Sequence, residues 1–232
     1  MKKTLYLLCG LLCDEVVWAA QAQALQDDYD VRVITFLQQD SMQAMAEKVL
    51  ADAPANFALA GHSMGGRVAL EVCRRAPQRV ERLALLDTGY EAAAPGEADK
   101  RALLVRQALA EGTDAIAAAW GLPMLAPCHR EDPHLVQAIF DMVGRMTGKI
   151  YAAQTHALLN RPDAADVLAS LACPTLLLCG KQDGWSPPQR HERMAQMVPH
   201  AVLELVDDCG HMSMMEQPEA VLQAMRRWLA SR

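Results

Sequence analysis

The sequence predicts an α/β fold built on a mostly parallel, doubly wound sheet of six strands, into which a helical cap is inserted. Short apolar runs alternate with helix-like segments along most of the chain, as in sheets that helices cover on both faces. This alternation stops after the fourth strand and resumes near Pro174. We therefore expect a core of residues 1–89 and 172–232 and a cap of residues 90–171.

The first predicted strand, residues 5–9, is a short, continuous apolar run, which is the pattern of a strand buried on both faces. The six strands are predicted at residues 5–9, 30–36, 56–60, 82–86, 175–179 and 202–206. Core helices are predicted at residues 15–26, 42–51, 67–76, 188–197 and 218–230. Asp14 and Ser41 precede the first two helices and suit the N-cap position, because their side chains accept hydrogen bonds from unpaired helix N–H groups.

Residues 90–171 contain no convincing strand pattern. Helices are predicted there instead, at residues 98–110, 114–120, 134–146, 149–159 and 163–171. Because connections in compact domains are usually short, this run favours a cap over an ordinary helical layer beneath the sheet. Met124, Met142 and Met146 lie in it, and methionines at helical spacing suit either an adaptable apolar surface or plain core.

Length and composition indicate one globular domain, since 232 residues that are 52% hydrophobic and 22% charged allow a sizeable core. The formal net charge is -6 and no basic stripe is present, so nucleic acid is not an expected partner. No apolar run approaches the ~20 residues of a membrane span, so membrane insertion is not expected either. Composition leaves both a monomer and a homodimer open.

Seven cysteines are present, an odd number without the spacing of a disulfide framework or a C-x-x-C metal site. We therefore expect a reducing, cytoplasmic location, and neither a metal nor another cofactor. Residues 4–13 imitate a signal peptide, and residues 20–22 imitate its cleavage site. We expect this run to be a strand instead, because Leu8 and Leu12 precede the two cysteines where a lipoprotein signal has a small residue.

The segment Gly61-His62-Ser63-Met64-Gly65-Gly66 lies between a predicted strand and a predicted helix. It has the spacing G-x-S-x-G, in which small residues on either side of a serine allow a sharp, strained turn. Such a turn projects the hydroxyl at its apex, and the following helix directs its N-terminal N–H groups toward the same point. Ser63 is therefore a candidate nucleophile, although a chance match in an ordinary turn gives the same short pattern.

A serine hydroxyl needs a general base, and the base needs an acid that orients it. His211 follows the last predicted strand, and Asp183 follows the strand before it. Since parallel strands end at one edge of a sheet, both side chains are expected beside Ser63. Asp87, at the end of the fourth strand, is the alternative acid. The purely structural alternatives are a turn-forming role for Asp183 and a bond between His211 and Asp208.

Acyl transfer also needs two N–H donors for the oxyanion. The predicted donors are the backbone N–H of Met64, directly after the nucleophile, and that of Leu11, in the loop after the first strand. Substrate contacts are expected from His62, Trp185 and Met212, which lie next to these segments. The remaining histidines are less well placed, in the helical block or on its surface: His129, His134, His156, His191 and His200.

Together these segments resemble the α/β-hydrolase superfamily, specifically its compact bacterial esterase-like branch with a helical cap. Leu8-Cys9-Gly10-Leu11 stands where many members have His-Gly-x, and Cys9 departs from the usual His. Two strands that often precede the first one are missing. The other matching segments are 61–66 for the elbow, 180–183 for the acid loop, 209–211 for the histidine loop, and the flanking 173–175 and 216–218.

The resemblance implies an α/β-hydrolase fold and a serine hydrolase that cleaves a carboxylic ester, or a related acyl bond, of a small-molecule acyl substrate. The reaction would pass through an acyl-Ser63 intermediate, with His211 as the general base and Asp183 as the orienting acid.

Other members of the superfamily leave alternatives open, because a fold does not fix a function. Menaquinone-pathway lyases use the same three residues for proton abstraction on a polyanionic substrate, for which Arg67, Arg145 and Arg161 are available. Cofactor-free perhydrolases share the Met after the serine, and some receptors keep the fold for ligand binding. The presence of all three candidate residues favours an enzyme.

Overall fold

Six parallel strands form one sheet at the centre of the structure, a computed structural model that describes residues 2–231. The strands are β1 (Lys3–Leu8), β2 (Tyr29–Ile34), β3 (Phe57–His62), β4 (Val80–Leu86), β5 (Thr175–Gly180) and β6 (Val202–Val206). Their order across the sheet is β2-β1-β3-β4-β5-β6, and every neighbouring pair is parallel. The fold class predicted from the sequence is confirmed.

The connections between the strands are mostly helical. In the described chain the α-helices are α1 (Ala19–Leu25), α2 (Met42–Ala51), α3 (Met64–Arg75), α4 (Glu97–Glu111), α5 (Ala117–Gly121), α6 (Pro133–Gly144), α7 (Gly148–Leu159), α8 (Ala165–Ser170), α9 (Pro188–Met197), α10 (Ser213–Glu216) and α11 (Pro218–Ala230). Short 3₁₀ turns lie at Glu15–Trp18, Pro77–Arg79, Asp114–Ile116, Leu122–Met124 and Pro127–His129. Within residues 2–231, no helix combines the length and the hydropathy that a membrane span requires.

Both predicted N-cap side chains accept a hydrogen bond, but one caps an α-helix and the other caps a 3₁₀ turn. Ser41 Oγ accepts from Ala44 N and starts α2 at the predicted residue. Asp14 accepts from Val16 N and opens the 3₁₀ turn Glu15–Trp18, which divides the predicted helix 15–26. In this tighter turn the Trp18 indole is buried and donates to the Leu8 carbonyl at the end of β1, 3.2 Å away.

The helices cover the sheet on both faces. The chain steps from β1 to β2 in one direction across the sheet and takes all later steps in the other direction. Because such crossovers are right-handed, α1 lies on the face opposite α2 and α3. α11 packs beside α1, while α8 lies between α3 and α9. The strands between these layers are deeply buried, and every residue of β3 and β5 is inaccessible or nearly so.

The reversal between β1 and β3 leaves a crevice at the carboxyl edge of the sheet, where ligands of open α/β sheets bind. The register brings the ends of neighbouring strands level, since Leu8 pairs with Gly61 and His62 pairs with Leu86. All the predicted catalytic side chains follow strands that end here. The topology therefore gathers residues that lie far apart in the sequence.

Residues 90–171 contain helices and turns and no strand, as the sequence predicted. α4 packs against α7, and α5 packs against α6, so these helices form a unit above the carboxyl edge of the sheet. α8 instead packs on α3 and α9 of the core layer. Met142 and Met146 are plain core, with exposed fractions of 0% and 6%. The limits of a separate cap at residues 90 and 171 stay a prediction.

Gln154 ties this helical unit to the core. It lies on α7, is 1% exposed, and uses both ends of its amide. Its Oε1 accepts from Leu12 N at 2.9 Å, and its Nε2 donates to the Phe36 carbonyl at 2.8 Å. Both partners lie in loops that leave the sheet at its carboxyl edge, so one side chain joins α7 to two core loops.

We expect Gln154→Ala to lower the free energy of unfolding by about 2 kcal/mol or more, because it leaves a buried N–H and a buried carbonyl without partners. Urea denaturation measures this change. Gln137→Ala is the matched control, since Gln137 is exposed and bonds only to Asp141 one turn away; its effect should stay within about 0.5 kcal/mol. Equal effects of the two substitutions would show that the hydrogen bonds from Gln154 to the two core loops do not stabilise the fold.

Candidate active site

Ser63 lies at the apex of a strained turn between β3 and α3. Its backbone has φ 52° and ψ -113°, a conformation that non-glycine residues rarely adopt. Ser63 N donates to the Leu86 carbonyl, and the Ser63 carbonyl accepts from Thr88 Oγ1 at 2.6 Å. The turn is thus held by the end of β4 on both sides of the serine.

Two glycines make this turn possible. A Cβ on Gly61 would collide with the Gly65 carbonyl, and a Cβ on Gly65 would collide with the Leu8 carbonyl at the end of β1. The chain can therefore double back tightly only if both positions lack a side chain. This is the physical basis of the G-x-S-x-G spacing in this protein.

A chain of hydrogen bonds joins the three predicted catalytic side chains. The distance from Ser63 Oγ to His211 Nε2 is 2.9 Å, and that from His211 Nδ1 to Asp183 Oδ2 is 2.8 Å. Because a carboxylate only accepts, His211 Nδ1 carries the proton and Nε2 offers its lone pair to the serine hydroxyl. The structure brings together Ser63, His211 and Asp183, and Asp208 is not the partner of His211.

Asp183 is buried but well supplied with donors. Its Oδ1 accepts from Trp185 N at 2.8 Å and from Ser186 N at 2.9 Å. Burial alone would raise the pKa of Asp183, but the charge and hydrogen bond of His211 outweigh it and lower that pKa. Burial alone would likewise lower the pKa of His211, and the Asp183 carboxylate reverses this, so the His211 pKa is raised.

Asp87, the alternative acid, has a different set of contacts. It is fully buried, and it accepts from Gly180 N at 3.0 Å and from Ser213 N at 3.3 Å. Burial and the negative charge of Asp183 raise the pKa of Asp87. Asp87 therefore links the end of β5 to the histidine loop, while Asp183 is the acid that contacts His211.

The backbone of His211 is fixed by a second buried carboxylate, which the sequence analysis noted only as part of a flanking segment. Glu216 Oε1 accepts from Gly210 N at 2.9 Å and from Met212 N at 3.1 Å. Its Oε2 accepts from Ala126 N at 2.8 Å and from His129 Nδ1 at 3.0 Å. The residues on either side of His211 are thus tied through one carboxylate to the segment after α5.

His62 lies against the site as a neutral side chain. Its Nε2 donates to the His211 carbonyl at 2.8 Å, and burial, followed by the nearby His211, lowers the pKa of His62 to about 3. Gly10 packs against the same ring, where a Cβ would lie 2.8 Å from His62 Nδ1. Because Gly10 has no side chain, the loop after β1 lies close to the elbow, even though Cys9 stands where many members of the superfamily have His.

The two predicted oxyanion donors lie on either side of Ser63. Leu11 is in the loop after β1 and lines the cavity described below, and Met64 is the first residue of α3. In the loop, Leu12 N donates to Gln154 and Cys13 N donates to Gly10. Among the residues that the structure describes, the N–H groups of Leu11 and Met64 donate to no acceptor, so both are available to a ligand.

A cavity of about 360 Å³ opens above Ser63 and His211, within the usual size range of small-molecule sites. The predicted substrate-binding residues His62, Trp185 and Met212 all line it. The helical unit supplies an apolar part of the wall, formed by Ala94, Pro95, Trp120, Met124 and Leu158. Of the three methionines singled out in the sequence, only Met124 is in this wall.

Charged side chains form another part of the wall, and the sequence analysis identified only some of them. Arg67 and Arg161 line the cavity, whereas Arg145 pairs with Asp14 at 2.6 Å. The sequence analysis placed His191 in the helical block or on its surface, but it lies on α9 of the core. It is fully buried because α9 packs against β5, and it accepts from Thr88 N. No local periodicity marks such contacts, since their partners lie far away in the chain.

The buried oxygens and sulfur of Asp87, Cys179 and Asp183 lie within 4.8 Å of one another, the spacing of a metal site. The Cys179 thiol already donates to the Ser186 carbonyl at 3.1 Å. Both carboxylates are engaged by backbone N–H groups or by His211. We therefore assign no metal site to this cluster.

Comparison with known proteins gives consistent matches over nearly the whole chain. The family model described as the alpha/beta hydrolase family matches residues 14–224. The pimeloyl-[acyl-carrier protein] methyl ester esterase of Vibrio cholerae is 25% identical over 236 residues, covering 95% of this chain and 92% of that protein. The (E)-2-((N-methylformamido)methylene)succinate hydrolase of Acinetobacter baylyi is 28% identical over 173 residues, covering 74% of this chain and 64% of that protein.

Solved structures agree with these matches. A thermophilic esterase from Thermogutta terrifontis, solved with malate bound, superposes with a TM-score of 0.87 at 32% sequence identity. The match covers 98% of this chain and 90% of that one. The chain therefore belongs to the alpha/beta hydrolase family and, like these relatives, is an enzyme of the hydrolase class.

Proposed function

We propose that this protein is a serine hydrolase that cleaves the carboxylic ester, or a related acyl bond, of a small molecule. The observation that carries the proposal is the hydrogen-bonded chain from Ser63 through His211 to Asp183 at the floor of the cavity. A nucleophile, a base and an orienting acid within hydrogen-bond distance form the arrangement that acyl transfer requires. The esterase and hydrolase names of the relatives support the same reaction class.

In the first half of the reaction, Ser63 Oγ attacks the scissile carbonyl while His211 Nε2 takes the hydroxyl proton. The resulting oxyanion accepts from the N–H groups of Leu11 and Met64, which have no other acceptor among the described residues. Asp183 stabilises the imidazolium, as the raised pKa of His211 indicates. The tetrahedral intermediate collapses when His211 returns its proton to the leaving alcohol, and acyl-Ser63 remains.

In the second half, a water molecule takes the place of the alcohol. His211 removes a proton from this water, whose oxygen attacks the acyl carbon, and the same N–H groups accept the oxyanion. Collapse returns the proton to Ser63 and releases the acid.

A proton-abstracting lyase is the second candidate, and the cationic residues Arg67 and Arg161 in the cavity wall favour it. The two reactions differ in whether a covalent acyl-enzyme forms. A serine-directed phosphonate that adds its mass to the peptide containing Ser63, together with a trapped acyl group at the same residue, would separate them.

We also propose a reducing, cytoplasmic location, which seven free cysteines support.

We expect Ser63→Ala to abolish hydrolysis of short p-nitrophenyl esters, with a loss on the order of 10⁶-fold in kcat, because among residues 2–231 the hydroxyl that bonds to His211 Nε2 is that of Ser63. Release of p-nitrophenol measures this. Ser170→Ala is the control, since Ser170 is exposed at the end of α8 and should leave the rate unchanged. Residual activity of Ser63→Ala close to that of the control would exclude Ser63 as the nucleophile.

We expect kcat/KM to rise with pH with a midpoint above the ~6.5 of free imidazole, because the base must be neutral and the His211 pKa is raised. His62 and His191 do not titrate in this range, since burial lowers their pKa values to about 3 and about 4. Asp183→Asn should move the midpoint down and reduce kcat by about 10⁴-fold. A flat profile, or a midpoint unchanged in Asp183→Asn, would contradict the assignment.

We expect Glu216→Gln to reduce kcat by about tenfold or more with a smaller effect on KM, because an amide nitrogen then faces N–H groups that a carboxylate oxygen accepted. Steady-state kinetics with the same esters measures this. Glu219→Gln is the matched control, as Glu219 is exposed in the first turn of α11. If both variants keep the parent kcat, Glu216 does not position His211.

A further inference from the structure

The cavity above Ser63 is cationic, although the chain as a whole is acidic. Glu97 is the acidic residue in the wall, whereas five basic residues line it: Arg67, Lys100, Arg101, Arg161 and Arg190. The formal net charge of the chain is -6. A concave site of one charge sign concentrates ligands of the opposite sign, so this contrast points to an anionic ligand.

Two of these cations share the single negative charge of Glu97, so this cluster keeps one net positive charge. Arg101 Nη2 lies 2.9 Å from Glu97 Oε1, and Arg161 Nη2 lies 2.8 Å from Glu97 Oε2. Burial alone would raise the pKa of Glu97, but the hydrogen bond and charge of Arg161 lower it to about 2. Arg161 also donates to the carbonyls of Glu91, Ala92 and Leu158, so its donors are used within the protein.

Arg190 is paired as well, with Glu91 at 3.1 Å, and Arg193 shares the same carboxylate at 3.4 Å. Lys100 makes no ion pair within residues 2–231, but it is exposed, where an ammonium is strongly hydrated. Arg190 is therefore already paired, and the charge of Lys100 is at the surface rather than inside the cavity.

Arg67 differs from all of them. Within residues 2–231 no carboxylate oxygen lies within 4.0 Å of its guanidinium, which donates one hydrogen bond, from Nη1 to the Glu91 carbonyl at 2.8 Å. It is half-buried and borders the cavity. Burial, then Arg161 and Arg190, lower the pKa of Arg67 to about 9, although the more distant charges of Glu91 and Glu97 act in the opposite direction. Since arginine keeps its proton, this partly desolvated charge attracts an anion.

The position of Arg67 relates this charge to the nucleophile. Arg67 follows Ser63 by four residues, and its backbone N–H donates to the Ser63 carbonyl in the first turn of α3. Ser63 and Arg67 both line the same cavity. An anion held by Arg67 in this cavity would therefore belong to the molecule whose carbonyl Ser63 attacks.

We propose that Arg67 is the carboxylate-binding subsite of this enzyme, and that its substrates are small esters with a free carboxylate near the scissile carbonyl, such as half-esters of short dicarboxylic acids. This inference rests on the proposed function. The planar guanidinium fork matches a carboxylate in two parallel hydrogen bonds. The cavity of about 360 Å³ suits a molecule of this size.

The test compares two substrates that differ in one charge, monomethyl glutarate and its neutral carboxamide isostere, methyl 4-carbamoylbutanoate. Methanol release gives kcat/KM for the wild type and for Arg67→Gln, Arg67→Lys and the control Arg106→Gln. Arg106 carries the same charge on the exposed face of α4, outside the cavity wall. Calorimetric titration with glutarate measures binding without turnover.

We expect the wild type to prefer the half-ester, and Arg67→Gln to lower kcat/KM for it by about 10- to 100-fold, the range for a hydrogen bond to a charged group. The carboxamide ester should change less than about threefold, Arg67→Lys should restore part of the loss, and Arg106→Gln should match the wild type. The Kd of glutarate should rise at least tenfold in Arg67→Gln.

Two results would overturn the subsite and leave the proposed function standing. One is equal turnover of both esters by the wild type, with glutarate binding unaffected by Arg67→Gln. The other is an equal loss for both esters in Arg67→Gln, which would mean a structural role. Conversely, if neither these esters nor p-nitrophenyl esters are hydrolysed while glutarate binds through Arg67, the subsite holds and the proposed function fails.

Discussion

The geometry of the site depends on one buried contact, the hydrogen bond between His211 and the Asp183 carboxylate. Its effect is clear from three histidines that are all buried at the carboxyl edge of the sheet. Burial lowers the pKa values of His62 and His191, which have no carboxylate partner within residues 2–231. The same burial acts on His211, yet its pKa is raised because Asp183 favours the charged ring. Of the three imidazoles, His211 alone therefore has the raised pKa that suits the proposed general base.

The proposed role of this contact requires that the His211 ring stays within hydrogen-bond distance of Ser63. Residues of the helical region help to fix the position of His211. His211 N donates to the Met124 carbonyl at 2.7 Å, and Glu216 joins the residues on either side of His211 to Ala126. Gln154 makes a comparable tie to the loop that carries Leu11. These are buried hydrogen bonds, which are costly to leave unmade. The helical region therefore both lines the cavity and fixes the loops that carry His211 and Leu11.

The charges in the cavity wall are the basis of the proposed preference for an anionic substrate. Glu97 and Glu91 are each shared by two arginines, so the ion pairs compensate only part of the positive charge of the wall. Arg67 is left with one carbonyl, one turn beyond Ser63. The proposed nucleophile in the turn before α3 and the proposed anion subsite in the first turn of α3 are thus positioned by one helix and its N-cap, which fixes their spacing better than two separate loops would.

Local patterns in the sequence were sufficient for the strands, for most helices, for the elbow and for the three proposed catalytic residues. Buried strands have a recognisable apolar pattern, the elbow requires Gly61 and Gly65, and a residue that follows a parallel strand lies at a known edge. The position of Ser63, Asp183 and His211 follows from these local rules, even though they are far apart in the chain.

Tertiary structure alone decided which partners these residues take. Asp183 and Asp87 both follow strands, and only the folded geometry directs Asp183 to His211 and Asp87 to Gly180. It likewise directs Arg145 to Asp14, and leaves Arg67 facing the cavity. The reason is physical: periodicity records which side of an element is buried, whereas a hydrogen bond or ion pair depends on distance and direction between groups that only folding brings together.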